Sequence, residues 1–239
     1  MLNPYSDGSG GEVLQITNLI MRYDQPGGGS LAVLDIPEFS IGTGEQLAMV
    51  GQSGGGKTTL LHLIAGLLAP TSGSIKLAGV ELSTLSEQGR DRCRAANVGY
   101  VFQTFNLLPA FTALENVQLG MAFGQRPVDT ARAKDLLDRV GLSDRMTYKP
   151  RQLSVGQQQR VAIARALACK PKLLLADEPT ANVDPASADS VLDLIINSCR
   201  DEDIALLMVT HAMEVTERFS RVDRLDEINR VLLATQSEN

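Results

Sequence analysis

Two kinds of apolar run alternate along the chain, and they predict two kinds of strand. Residues 13–19 and 74–80 alternate apolar with polar side chains, the period of a strand with one face in the core and one in water, as in antiparallel sheets. Residues 46–50, 97–102, 172–176 and 204–209 are apolar almost without a break. Strands buried on both faces need such runs, and they belong to parallel sheets covered by helices. Helical patterns fill the intervals: 58–67, 112–123, 130–140 closed by Gly141, and 154–168 ahead of Pro171, with Gly and Pro in their usual stopping places. Three of these helices fall in succession between the second and third buried strands. The pattern therefore predicts an α/β chain: a mainly parallel sheet, an N-terminal antiparallel β part and an inserted helical subdomain. The Gly/Pro stretch 25–30 reads as a loop, and no internal repeat is visible.

Composition narrows the class. A chain of 239 residues with 44% hydrophobic and 21% charged side chains is globular, and its length suits one large domain or one domain with an insertion. With 22 Lys+Arg against 28 Asp+Glu the net charge is −6, so no overall basic field attracts nucleic acid, and none is expected as a partner. The Arg90, Arg92, Arg94 cluster, interrupted by Asp91, reads as a solvated helix face. Cys93, Cys169 and Cys199 have no C-x-x-C spacing and no even count, which points to reduced thiols of a cytosolic protein. Residues 1–11 hold no Lys, no Arg and no apolar run, so they read as a flexible tail, not a secretory signal. The most apolar stretch, 60–69, is about half the roughly 18 residues needed to span a bilayer. If the chain works at a membrane, another chain must supply the span.

Gly51-Gln52-Ser53-Gly54-Gly55-Gly56-Lys57-Thr58 fits G-x-x-x-x-G-K-[ST] and lies between a predicted buried strand and a predicted helix. Glycines let such a loop turn its backbone N–H groups around a phosphate, and the helix start adds positive potential. Lys57 is then the contact for the β- and γ-phosphates and the Thr58 hydroxyl a ligand for Mg²⁺. Leu173-Leu174-Leu175-Ala176-Asp177-Glu178 is an apolar strand closed by two carboxylates, the Walker B pattern. Asp177 suits Mg²⁺, and Glu178 is left to polarise a water in line with the γ-phosphate. Leu153-Ser154-Val155-Gly156-Gln157 has the S-x-x-Q spacing of a capping box, so Ser154 is read as the N-cap of a helix whose start can bind an anion.

With its motifs in this order, the chain resembles the nucleotide-binding subunits of ABC transporters over about residues 13–233. In that resemblance residues 153–157 match the family signature, Gln103 the Q-loop, Ala181-Asn182-Val183-Asp184 the D-loop and His211 the switch histidine, while Tyr23 stands where an aromatic stacks on adenine. Taken alone, Gln103, Asp184 and His211 are ordinary polar residues at strand or turn ends. The resemblance implies a P-loop core of residues 13–103 and 171–239, a helical subdomain of 104–170 and a tail of 1–12. It implies ATP and Mg²⁺ as ligands, with Tyr23, residues 51–58 and Thr59 on the nucleotide, Thr58, Gln103 and Asp177 on the metal, and Glu178, His211 and Gln103 at the chemistry. Two such chains are implied to meet head to tail, so that Ser154, Gly156, Gln157 and Asp184 serve the nucleotide of the other copy.

Two departures stand out. The third signature position, usually Gly, is Val155, and a β-branched residue is tolerated there only if the backbone does not need φ > 0. Residues 226–230 lack the Gly common in that turn. The apolar residues 104–109 and 112–117 read either as a docking groove for a helix of a membrane partner or as internal packing of the helical subdomain. The stretch is most like the lipoprotein-releasing and macrolide-exporting ATPases. That implies an integral membrane permease and a second ATPase copy as partners, a place on the cytoplasmic face of the inner or plasma membrane, and export or extraction of a lipid, lipoprotein or amphiphile. Two alternatives are weighed: an ATP-dependent dimerising module that hydrolyses weakly because of Val155, and a soluble non-transport ABC ATPase. The stretch from Gly51 to Asp177 carries no heptads for the coiled coil of a repair ATPase, and the single set of motifs disfavours the two-domain ribosomal type.

Overall fold

The computed structural model describes residues 11–122 and 127–237. Residues 1–10 of the expected tail, and Phe123 at the end of the second predicted helix, lie outside the described residues.

The chain opens with a long hairpin of β1 (Glu12–Asp24) and β2 (Ser30–Gly42), followed by β3 (Gln46–Val50) and α1 (Lys57–Ile64). Next come β4 (Ser72–Leu77), β5 (Val80–Glu81), α2 (Glu87–Asn97) and β6 (Val98–Val101). Helices α3 (Ala113–Ala122), α4 (Thr130–Arg139) and α5 (Val155–Leu167) precede β7 (Leu173–Asp177), α6 (Pro185–Asp201) and β8 (Ala205–Thr210). The chain closes through α7 (Met213–Thr216), β9 (Arg221–Arg224), α8 (Leu225–Ile228) and α9 (Arg230–Ser237).

Two sheets result: an antiparallel one in the order β2-β1-β4-β5 and a parallel one in the order β6-β7-β8-β3-β9. The unbroken apolar runs have the expected cause. Leu173 and Leu175 of β7 pack with α1 and the antiparallel sheet, while Leu174 and Ala176 pack with α3 to α6 on the other face. Each of these four residues meets one core or the other, and polar side chains are left to the strand ends, as with Asp177.

The antiparallel part is longer than its alternation suggests. In β1 Val13 is buried at the start, the alternation then buries Leu14 and Ile16 and after them Leu19 and Met21, and the change of phase falls at Asn18, which has φ 49°. Opposite, β2 buries Leu34 and Ile36, then Phe39 and Ile41, with Pro37 between them. Each strand is thus two period-2 segments out of step, which hides it from a search for one continuous alternation. Helix α1 stops at Ile64, short of the predicted 67, because Gly66 takes φ 68° and turns the chain away.

Sequential order matters less here than where strands end. In the parallel sheet β3, β7, β8 and β9 all run the same way, so Gly51, Glu178, His211 and Arg224 come to one rim of the sheet. Ligands of open α/β sheets bind at this carboxyl rim.

Candidate functional site

A cavity of about 830 Å³ opens at that rim, lined by Gly51, Gln52, Ser53, Gly54, Gly56, Lys57, Thr58 and Thr59 of the loop between β3 and α1. Its other walls are Tyr23 and Val33 of the antiparallel sheet, Gln103, Glu178, His211, Met213 and Arg224. The loop is built for an anion. Gly56 is the N-cap of α1 at φ 95°, with no side chain capping the first N–H groups. A Cβ at Gly56 would lie 2.9 Å from Leu34 Cδ2, so both the left-handed backbone and the packing demand Gly there. Lys57 Nζ donates to Gly51 O (2.7 Å) and Gln52 O (2.8 Å), which holds the ammonium at the loop while the rest of the side chain is buried. Gly55 does not line the cavity; it closes the turn, donating its N–H to Gln52 O at 3.1 Å.

Asp177 lies under this loop, nearly buried, with the Thr58 hydroxyl next to its carboxylate. Burial pushes its pKa up, the Thr58 hydroxyl opposes that, and the Glu178 charge adds to the rise. Burial also raises the Tyr100 phenol, with the Asp177 charge second, so that phenol stays protonated. A hydroxyl and a carboxylate side by side are the hard oxygen donors that Mg²⁺ accepts, and the cation keeps several waters, so a larger protein cage is not needed. Among the described residues no group of three His, Cys, Asp or Glu side chains forms such a cage.

Glu178 departs from strand geometry at φ 45°, a strain of about 1–3 kcal/mol that must be held by its neighbours. Its N–H donates to Val209 O at 2.9 Å and its C=O accepts from Ala181 N at 3.1 Å. This turn presents the carboxylate to the cavity, where Oε2 lies 2.8 Å from His211 Nδ1. A carboxylate and an imidazole joined in this way can orient a water and take up its proton.

Gln103 sits beyond β6, its carbonyl accepting from Asn182 Nδ2 at 2.8 Å. The segment after it divides between the two expected readings. Leu107 and Leu114 pack on the core, and Ala113 and Val117 are buried, whereas Leu108 and Phe111 stay exposed at 45% and 38%. A buried amide decides this. Asn116 accepts from Leu108 N at 2.8 Å and donates to the carbonyls of Leu108, Phe111 and Thr112, which pins the loop with its two large side chains outward.

Ser154, Gly156, Gln157 and Asp184 line no part of this cavity. The Ser154 hydroxyl accepts from Gln157 N (3.3 Å) while Gln157 Oε1 accepts from Ser154 N (3.0 Å), the capping box that the spacing predicts. Val155 is the first residue of α5, with no positive φ, so the β-branched side chain is unstrained and points to solvent at 47% exposure. Gly156 is open, a Cβ there meeting nothing closer than Ser187 at 3.9 Å. Asp184 caps α6, accepting from Ser187 N at 3.0 Å.

Several residues at or beside the site carry no motif. Val33, Met213 and Arg224 join the lining, and Gln159 ties α5 to the turn after β7 by donating to Pro179 O at 2.8 Å while fully buried. Arg224 stands at the end of β9, opposite Val50 in the ladder, in a strand whose short polar sequence has no readable pattern.

Residues 34–181 match the ABC transporter family. The chain is 44% identical, over 90% of its length and 95% of theirs, to the lipoprotein-releasing system ATP-binding protein LolD of Pseudomonas fluorescens. It is also 44% identical to the LolD of Cereibacter sphaeroides, over 90% of this chain and 97% of that one. Among solved structures it is similar to the ATP-binding cassette MJ0796 in a dimeric post-hydrolysis state bound to ADP and phosphate, with TM-score 0.81, 33% identity and coverage of 88% and 93%. A second dimeric structure of that bacterial cassette gives TM-score 0.80 at 34% identity, covering 88% of this chain and 93% of that one. With the P-loop, the paired carboxylates and the histidine at one rim of the sheet, and these likenesses along nearly its full length, the chain belongs to the ABC transporter family as one of its ATP-binding ATPases.

Proposed function

We propose that this chain is the ATP-hydrolysing subunit of a lipoprotein-releasing transporter, working as a dimer against a separate membrane permease. The observation that carries the reading is an asymmetry within one chain. Lys57, Thr58, Gln103, Glu178 and His211 meet at one cavity, while the capped helix start at Ser154 is exposed and lines no part of it. A second copy placed head to tail would bring its Ser154, Gly156 and Gln157 over the γ-phosphate, with Asp184 beside the dimer axis. That helix start supplies the fixed positive potential that stabilises charge on the transferring phosphoryl group.

In this reading residues 13–103 and 171–239 form the nucleotide core and 104–170 the helical subdomain. Tyr23 packs on the adenine, the amides of 51–59 and Lys57 hold the phosphates, and Thr58, Asp177 and Gln103 would hold Mg²⁺, which would supply countercharge to the phosphates. Glu178 orients the attacking water and accepts its proton, with His211 fixing the carboxylate and reaching the γ-phosphate. Leu108 and Phe111 form the apolar seat for a permease helix. Among the described residues no helix is long and apolar enough to cross a membrane. The likeness to LolD proteins supports a place on the cytoplasmic face of the inner membrane, through that permease. The helical backbone of Val155 favours full hydrolysis over a weakly hydrolysing module.

The test is co-purification. Expressed with the lipoprotein-releasing permease of a relative, the wild-type chain is expected to co-purify, and Leu108→Asp with Phe111→Asp to abolish this without loss of ATP binding. Failure of the wild type to bind any such permease, or binding unaffected by the two substitutions, contradicts the reading.

A further inference from the structure

The loop after Gln103 is fastened by three side chains from three different elements. Asn182 holds the Gln103 carbonyl, Asn116 holds Leu108, and between them Arg165 of α5 donates from Nη2 to Phe105 O (2.8 Å) and from Nη1 to Asn106 O (2.6 Å). Asn106 is itself at φ 49°, so the chain bends sharply at the point the guanidinium grips. We infer that Arg165 is a positioning residue that sets Gln103 in the nucleotide cavity and makes its place depend on that of the signature helix. The inference rests on the proposed contact of Gln103 with Mg²⁺.

The chemistry of the contact supports a geometric role. Arg165 is partly desolvated, and burial pushes its pKa down. Among the described residues it has no carboxylate partner, so its burial is offset by the two carbonyls alone. Arg132 is the contrast: it too donates to two carbonyls of the α5 region, Leu167 O and Ala168 O, but has Glu202 at 2.7 Å. A planar fork holds two donors at a fixed spacing towards two neighbouring carbonyls, whereas a lysine offers one freely rotating point charge on a flexible stem and loses that fixed geometry.

The element carrying Arg165 is stiff. Gly120 of α3 lies against it so closely that a Cβ would come within 2.3 Å of Arg165 O, and Gln159 fixes the start of the same helix to Pro179 O. Ser154 and Arg165 are therefore two ends of one rigid rod of about 16 Å at 1.5 Å per residue. A shift of its start, where a second copy's nucleotide would sit, is carried to Phe105 and Asn106 and so to Gln103.

Two readouts test this without turnover: the Mg²⁺ concentration that half-saturates enhanced ATP binding by calorimetry, and hydrogen exchange of the amides of residues 103–108. Arg165→Lys is expected to speed that exchange about tenfold and to raise the Mg²⁺ requirement several-fold, roughly the loss of one charged hydrogen bond, while metal-free ATP binding stays unchanged. Gln103→Ala is expected to raise the Mg²⁺ requirement at least as much. Arg132→Met is expected to lower the melting temperature and leave both readouts as in wild type. If Arg165→Lys fails to fold, Arg165→Gln, which keeps a donor for one carbonyl, is read in the same way. If Gln103→Ala shifts the requirement and the Arg165 variant does not, the inference falls and the role of Gln103 stands. Equal shifts in the Arg132 and Arg165 variants also overturn it, as general loosening. If Gln103→Ala shifts nothing, the role of Gln103 falls and the inference with it.

Discussion

Helices α1 and α5 both begin with backbone N–H groups aimed out of the helix, and the chain completes the two starts in opposite ways. At α1 the cap is a left-handed glycine that uses up no N–H, and a lysine, a threonine and a buried carboxylate crowd round the opening. At α5 the cap is a serine locked in a reciprocal box with Gln157, beside an exposed Val155 and an open Gly156. The first is a site that needs only its ligand. The second is a surface finished well enough to be stable in water, with its neighbours left small or exposed so that something can approach. That difference is the ground for the proposed head-to-tail dimer, in which one copy would hold ATP and the second would complete its site.

The comparison can be broken at either start. The largest effect is expected at the chemistry of the first: Glu178→Gln should lower turnover about 10²–10⁴-fold and leave ATP affinity within about threefold, measured by phosphate release and calorimetry. Lys57→Ala should then weaken ATP binding about a hundredfold, the cost of about 3 kcal/mol for losing a charged phosphate contact, with little change in melting temperature. At the second start Ser154→Ala should remove about 1 kcal/mol of stability with the cap and lower turnover about tenfold, while ATP binding to a single copy is untouched. Val155→Gly should change turnover less than about threefold and cost under about 1 kcal/mol, since the backbone there is already helical. A large gain from Val155→Gly would mean that the side chain obstructs the second copy.

The smallest effect lies away from both starts, where Glu202 joins α6 to α4. Burial alone would raise its carboxyl, but the hydrogen bonds and charges of Arg132 and Arg139 bring it below its ordinary value. A carboxyl depressed in the folded state contributes stability at neutral pH that is lost as pH falls through its folded pKa. Melting temperature should thus fall less steeply below about pH 4.5 in Glu202→Gln than in wild type, with turnover at neutral pH unchanged.

How much of this was legible depends on whether a residue acts through its own pattern. The buried strands were readable because both faces of the parallel sheet are covered, so Leu173 to Ala176 had to be apolar throughout. The P-loop and the Ser154 box were readable because local backbone geometry demands those residue types at those spacings. Strand β2 is not readable, because its alternation changes phase at Pro37, and α6 is marked in the sequence only by its start, Asp184 as cap and Pro185 as first residue. Arg165, Asn116 and Gln159 were invisible for a different reason: each acts on a backbone carbonyl contributed by another element, and a carbonyl leaves no mark in a sequence. Arg224 reaches the cavity only because β9 pairs with β3, a contact that no local signal announces.

The central claim, that the working site is shared between two copies, is tested most directly by turnover per chain as a function of protein concentration, with mass followed by light scattering at saturating ATP and Mg²⁺. A shared site predicts that turnover per chain rises with concentration in step with the dimer fraction and vanishes as the protein becomes monomeric. Turnover per chain that stays constant while the mass remains that of a monomer would contradict it.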